Sequence, residues 1–180
     1  MMTVHWIAAL LTCPGAVLRA FCEHIVLKLL RVPVEDTAYL QRNELCGHVE
    51  HKPVRTLGKA AVLCFVPGLI LLLFGLAFCL PAALQLFYMG VSPVAIETGN
   101  VSAMFIVCAV FWYFGVCCLC HVFPSYEDAL YLADAHREAK PAAKALLFLP
   151  VCIARAGAFL ARFGVFVLLW IAATICLFVF

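Results

Sequence analysis

Three short stretches hold most of the residues able to do chemistry. The first reads Pro14-Gly15-Ala16-Val17-Leu18-Arg19-Ala20-Phe21-Cys22-Glu23-His24. Arg19 and Glu23 are four residues apart, so a helix puts them on one face, where each lowers the other's desolvation cost. Glu23 and His24 are candidates for a site because ionisable groups at membrane depth are expensive to keep. The plainer alternative is a helix end where Arg19 and Lys28 reach for water and Glu23 neutralises Arg19. The second stretch is Gly47-His48-Val49-Glu50-His51-Lys52-Pro53. Its two histidines and one carboxylate offer nitrogen and oxygen ligands to a divalent ion such as zinc. Extended, His48 and Glu50 share a face and His51 takes the other; turned, the histidines converge. A solvated loop is the alternative. The third stretch is His121-Val122-Phe123-Pro124-Ser125-Tyr126-Glu127-Asp128-Ala129. Pro124 denies Phe123 the α region, Ser125 is a natural N-cap, and Asp128 sits where a capping box places its acidic partner. Capping accounts for Ser125 and Asp128. It leaves His121, one turn inside the preceding apolar run, unexplained.

The elements that must position these groups are membrane helices. The chain has 180 residues, 67% hydrophobic and 12% charged, with a net charge of +2 and a mean hydropathy of +1.09. A soluble domain carries roughly 25% charged residues, so a water-facing globule is excluded, and disorder is excluded by the same apolar content. Formal charge is absent over 1–18, 60–96, 98–126 and 163–180. A crossing helix needs roughly 20 apolar residues. The reading is an all-α bundle of four spans, at about 4–27, 60–83, 101–122 and 163–180. The long second interval ends in a wetter helical extension to about 89 and then a turn. Lysines and arginines crowd 31–59 and 124–162 and are missing from 84–100, which places segments 28–59 and 123–162 in the cytoplasm and both termini outside. Helix 126–139 is amphipathic and suits the membrane surface, and 142–162, with Arg155 and Arg162 among apolar residues, suits anionic lipid.

The first apolar segment lacks the basic leader of a signal peptide and reads as a retained helix. Eleven cysteines fall mostly in apolar segments, where the residue acts as a small hydrophobe. Cys117-Cys118-Leu119-Cys120-His121 matches the c-type haem spacing, but the charge bias puts it on the wrong side for haem attachment. No phosphate loop, G-x-S-x-G or dinucleotide fingerprint occurs, and basic residues are too scattered for a nucleic-acid surface.

The order of the three stretches resembles a family of small polytopic membrane proteins classed as zinc metallopeptidases and distantly similar to site-2 proteases. That pattern opens with a Pro-Gly helix start and H-E-x-x-H, continues with a G-[YH]-V-x-H-x-x-P-like loop, and closes with H-x-F-P-S followed by D-A. Here it meets Pro14-Gly15, the loop from Gly47 to Pro53, and His121 to Ser125 with Asp128-Ala129. The likeness covers about residues 11–132 and implies a zinc-dependent hydrolase. The departure falls on the chemistry. The register from Pro14-Gly15 puts Arg19-Ala20-Phe21-Cys22-Glu23 in place of H-E-x-x-H, and a shift of one residue restores only His24. A zincin needs two helical histidines as ligands and the adjacent glutamate as base.

Two expectations follow: a degenerate relative without hydrolysis, or a rearranged zinc site. In the rearranged site His24, His121 and Asp128 meet, His48 or His51 completes the coordination, and Glu23 acts as base or outer partner. Against both stand a non-catalytic membrane scaffold that binds a protein or peptide partner and, less favoured for want of internal repeats, a transporter or channel subunit.

Overall fold

The computed structural model describes residues 11–39, 48–89 and 103–179. Helix α1 (Cys13–Leu29) starts at Pro14, whose fixed φ suits a first turn. Strands β1 (Val34–Ala38) and β2 (His48–His51) pair antiparallel, with Val34 opposite His51, Thr37 opposite Val49, and an irregularity between Val34 and Asp36. Helix α2 (Leu57–Ala83) runs on through a π-helical turn, Leu84–Tyr88. Helices α3 (Ala103–Cys120), α4 (Tyr126–Glu138), α5 (Pro141–Arg162) and α6 (Val165–Val179) complete the chain.

The helical class expected from composition is what forms, with a small two-stranded sheet added. The sheet corrects the all-α reading: the polar segment between the first two long apolar runs pairs with itself over Val34–Ala38 and His48–His51. Pairing gives its backbone groups partners close to an apolar bundle, where water is scarce. Among the described residues, three helical stretches are long and apolar enough to cross a membrane: Leu57–Tyr88, Ala103–Cys120 and Pro141–Arg162. The first two contain or match the spans expected at 60–83 and 101–122. The third was expected to be an amphipathic surface helix. The helix in the expected 163–180 span, α6, is only 15 residues long. Of the span expected at 4–27, the first residues lie outside those described, and α1 has 17 residues.

Packing joins α1, α2 and α3 closely. At Gly15 an added Cβ would stand 2.0 Å from the Cys117 carbonyl oxygen, so α1 rests directly on the α3 backbone. At Gly115 it would meet Cys79 Sγ at 2.5 Å, which sets the approach of α3 to α2. Small residues at such crossings let helices meet where lipid removes the hydrophobic drive for association. One apolar cluster joins Ala20 and Leu27 of α1, Leu63 of α2, Leu132 of α4 and Val49 of β2. A second gathers Cys79, Leu86, Cys108 and Trp112, with Trp170 of α6 packed against it. Phe123 stacks on Phe166 at 4.8 Å between ring centroids, and Gly157 leaves the space that its ring fills.

Gly15→Ala is expected to destabilise the chain by roughly 1–3 kcal/mol, the usual cost of overpacking. Gly58→Ala, where a Cβ meets nothing within 4 Å, is expected to be neutral or mildly stabilising. Thermal unfolding of both variants in the same detergent checks the pair.

Candidate metal centre

The site starts from Arg19. One turn of α1 carries it beside Glu23, with Nε 3.8 Å from Oε2. Its Nη1 donates to the carbonyl of His121 at 2.7 Å and also to the carbonyl of Phe123. These oxygens lie where the chain leaves α3, the end at which unpaired carbonyls collect negative potential. Arg19 is 6% exposed and Glu23 4%. Nη2 is buried with no hydrogen-bond partner.

The clamped segment leads through Pro124 into α4. Ser125 caps that helix by accepting from the Asp128 backbone N–H at 3.1 Å, and its hydroxyl donates to Asp128 Oδ2 at 2.7 Å. The cap is the one the sequence predicts, but capping does not exhaust Asp128. Its Oδ1 lies 2.9 Å from His51 Nε2. His51 Nδ1 lies 2.9 Å from the Lys52 carbonyl oxygen, which can only accept, so Nδ1 carries a hydrogen. Between that carbonyl and the carboxylate both ring nitrogens donate, which is the imidazolium form. Burial works against this charge, yet the bond to Asp128, the bond to Lys52 and the nearby carboxylates raise the His51 pKa to about 9. Asp128 is pulled the other way. Burial raises its pKa, but hydrogen bonds from His51, Ser125 and Glu23 outweigh that and leave it below its ordinary value.

Glu23, His51 and Asp128 each offer one ligand atom, and these atoms lie within 4.8 Å of one another. They come from α1, β2 and α4. A divalent ion can be held by such a group. Imidazole nitrogen with two carboxylate oxygens suits zinc among several divalent metals. The Nδ1–H bond to a backbone carbonyl is the outer contact that orients a metal-binding histidine.

The other sequence candidates go elsewhere. His24 Nδ1 is 2.9 Å from the Tyr39 hydroxyl. His121 Nε2 is 2.9 Å from Thr12 Oγ1, and its ring lies beside Gly15 at the α1–α3 contact. Neither belongs to the group of three. The His48 side chain is outside the described residues; its backbone opens β2 opposite Ala38. Glu23, expected as base or outer partner, stands among the potential ligands. The feature the sequence did not suggest is the Arg19 clamp on the carbonyls of residues 121 and 123. A hint lay in the placing of a buried-helix arginine and a proline-terminated helix in the same chain, since a trapped cation seeks unpaired carbonyls.

No protein-family model, curated protein or solved structure matches the chain. The likeness to zinc metallopeptidases therefore rests on the short motifs alone.

His51 has a raised pKa in the folded state, so its ionic contribution is complete below the ordinary histidine value of about 6.5 and is lost as pH rises through about 9. Thermal unfolding followed across that range should show wild type losing stability, and His51→Gln losing much less. Asp128 contributes in the opposite sense: its share is present at neutral pH and fades in acid, below the ordinary aspartate value of about 3.9.

Proposed function

We propose that this is a multi-pass membrane protein with a zinc centre at its cytoplasmic membrane face, a non-standard relative of the metallopeptidase-like family its motifs resemble. The observation that carries the reading is the meeting of Glu23, His51 and Asp128, donor atoms within 4.8 Å, from three elements far apart in sequence. Zinc is favoured over calcium or magnesium because one donor is an imidazole nitrogen, and the harder ions prefer oxygen alone. The cytoplasmic side is supported by the lysines and arginines of the segments that supply His51 and Asp128.

Metal binding, rather than peptide hydrolysis, is the activity supported best. The register that aligns Pro14-Gly15 puts Ala20 at the position of the family's catalytic glutamate. Glu23 is itself one of the ligands, and among the described residues no further carboxylate joins the group. When bound, the ion would supply a doubly charged crosslink between α1, β2 and α4, taking the place of the proton on His51 Nε2. Protons and metal then compete for one nitrogen, so affinity rises with pH.

One observation favours a second reading, a metal-free scaffold. His51 and Ser125 already hydrogen-bond the Asp128 carboxylate, and Arg19 lies beside Glu23, so the network has internal partners without an ion. Paired buried charges of this kind fix packing and register more than they add stability.

Elemental analysis of the untagged full-length protein, after equilibration with zinc and removal of the excess, separates the two. Roughly one zinc per chain is expected, lost in His51→Gln and Asp128→Asn and kept in His24→Gln and His121→Gln. Folded wild type that takes up no zinc supports the scaffold.

A further inference from the structure

Helices α4 and α5 leave a groove between them, about 370 Å³, lined by Tyr126, Ala129 and Leu130 on one side and Arg155, Ala156 and Phe159 on the other. The spacing along α5 brings Arg155, Phe159 and Arg162 to one helix face, since steps of four and three residues follow the helical repeat. Arg162 lies over the Tyr126 ring, 5.1 Å from its centroid. Both arginines are exposed, and among the described residues neither has a carboxylate within ion-pair distance. Arg19, by contrast, is buried beside Glu23 and donates to two backbone carbonyls.

The position in the bundle gives these features a setting. Tyr126 is the first residue of α4, a few residues past the end of α3. The contact with Arg162 brings the end of α5 back to that level, and Phe166 of α6 stacks on Phe123 beside it. The groove therefore sits at the end of a membrane-length helix, with apolar walls and two exposed arginines at its rim.

We infer that this groove binds an anionic phospholipid, with its phosphate held by Arg155 and Arg162 and an acyl chain lying along Leu130 and Phe159. Two guanidiniums match a phosphate diester by charge and by paired hydrogen-bond geometry. The apolar walls match hydrocarbon, which a free phosphate lacks. Arginine next to an aromatic ring at the membrane boundary is also the arrangement that keeps a cation at headgroup level. The inference goes beyond the metal centre and uses none of its ligands.

Native mass spectrometry of the full-length protein with added phosphatidylglycerol or phosphatidylcholine tests it. Wild type should retain phosphatidylglycerol in preference to phosphatidylcholine. Arg155→Gln with Arg162→Gln should weaken phosphatidylglycerol retention roughly tenfold or more, as expected for two interfacial cations. Lys140→Gln with Lys144→Gln, an equal loss of charge outside the groove, should keep it. Ala156→Leu, which fills the groove and leaves both arginines, should weaken both lipids. His51→Gln should leave binding unchanged, so failure of the zinc reading is distinguishable. Equal retention of the two lipids by wild type, equal losses in the arginine and lysine variants, or full displacement by inorganic phosphate would each overturn the inference.

Discussion

A buried guanidinium must have partners, and the rest of this structure is arranged around meeting that need. Removing an arginine from water costs several kcal/mol unless carbonyls and a carboxylate replace the solvent. Arg19 obtains two carbonyls from the segment after α3 and a carboxylate from the next turn of its own helix. That requirement fixes α1 against the end of α3. It also fixes the path of residues 121–125, and so the position at which Ser125 starts α4. Asp128 then falls where His51 can reach it, and β2 is drawn onto the bundle.

The chain of consequences explains why polar groups and small residues share the α1–α3 boundary. Inside a bilayer, lipid tails are as apolar as leucine, so helix association rests on close packing and polar contacts. Gly15 lets the α1 backbone touch the Cys117 carbonyl, and this proximity brings Arg19 within reach of carbonyls one turn further along. His121, beside the same glycine, contributes its carbonyl to Arg19 and its ring to Thr12. Its ring lies at the contact of the two helices. The cysteines along this boundary are thiols; none of those described forms a disulfide.

Much of the local order was legible in the chain. The charge-free intervals located α2 and α3, the Ser125 and Asp128 pair located the start of α4, and the four-residue spacing of Arg19 and Glu23 gave their ion pair. These are features whose causes lie within a few residues. Convergence between distant segments was not legible. Glu23 and His24 are neighbours, about 100° apart around a helix, so facing one toward Asp128 sends the other toward Tyr39. Nothing local says which. The same holds for His48 and His51: alternation along a strand shows that they part, but the pairing with Val34–Ala38 decides which one meets α4. Helix α5 illustrates a different limit. Its apolar content suits a span and its two arginines suit a surface, and its packing brings Arg162 back beside Tyr126.

The most direct measurement is the zinc K-edge absorption spectrum of the zinc-equilibrated protein. The account expects a shell of nitrogen and oxygen only, near 2.0–2.1 Å, with one imidazole signature and two carboxylates. A sulfur shell near 2.3 Å would put the ion among the cysteines and contradict the assignment of Glu23, His51 and Asp128 as its ligands.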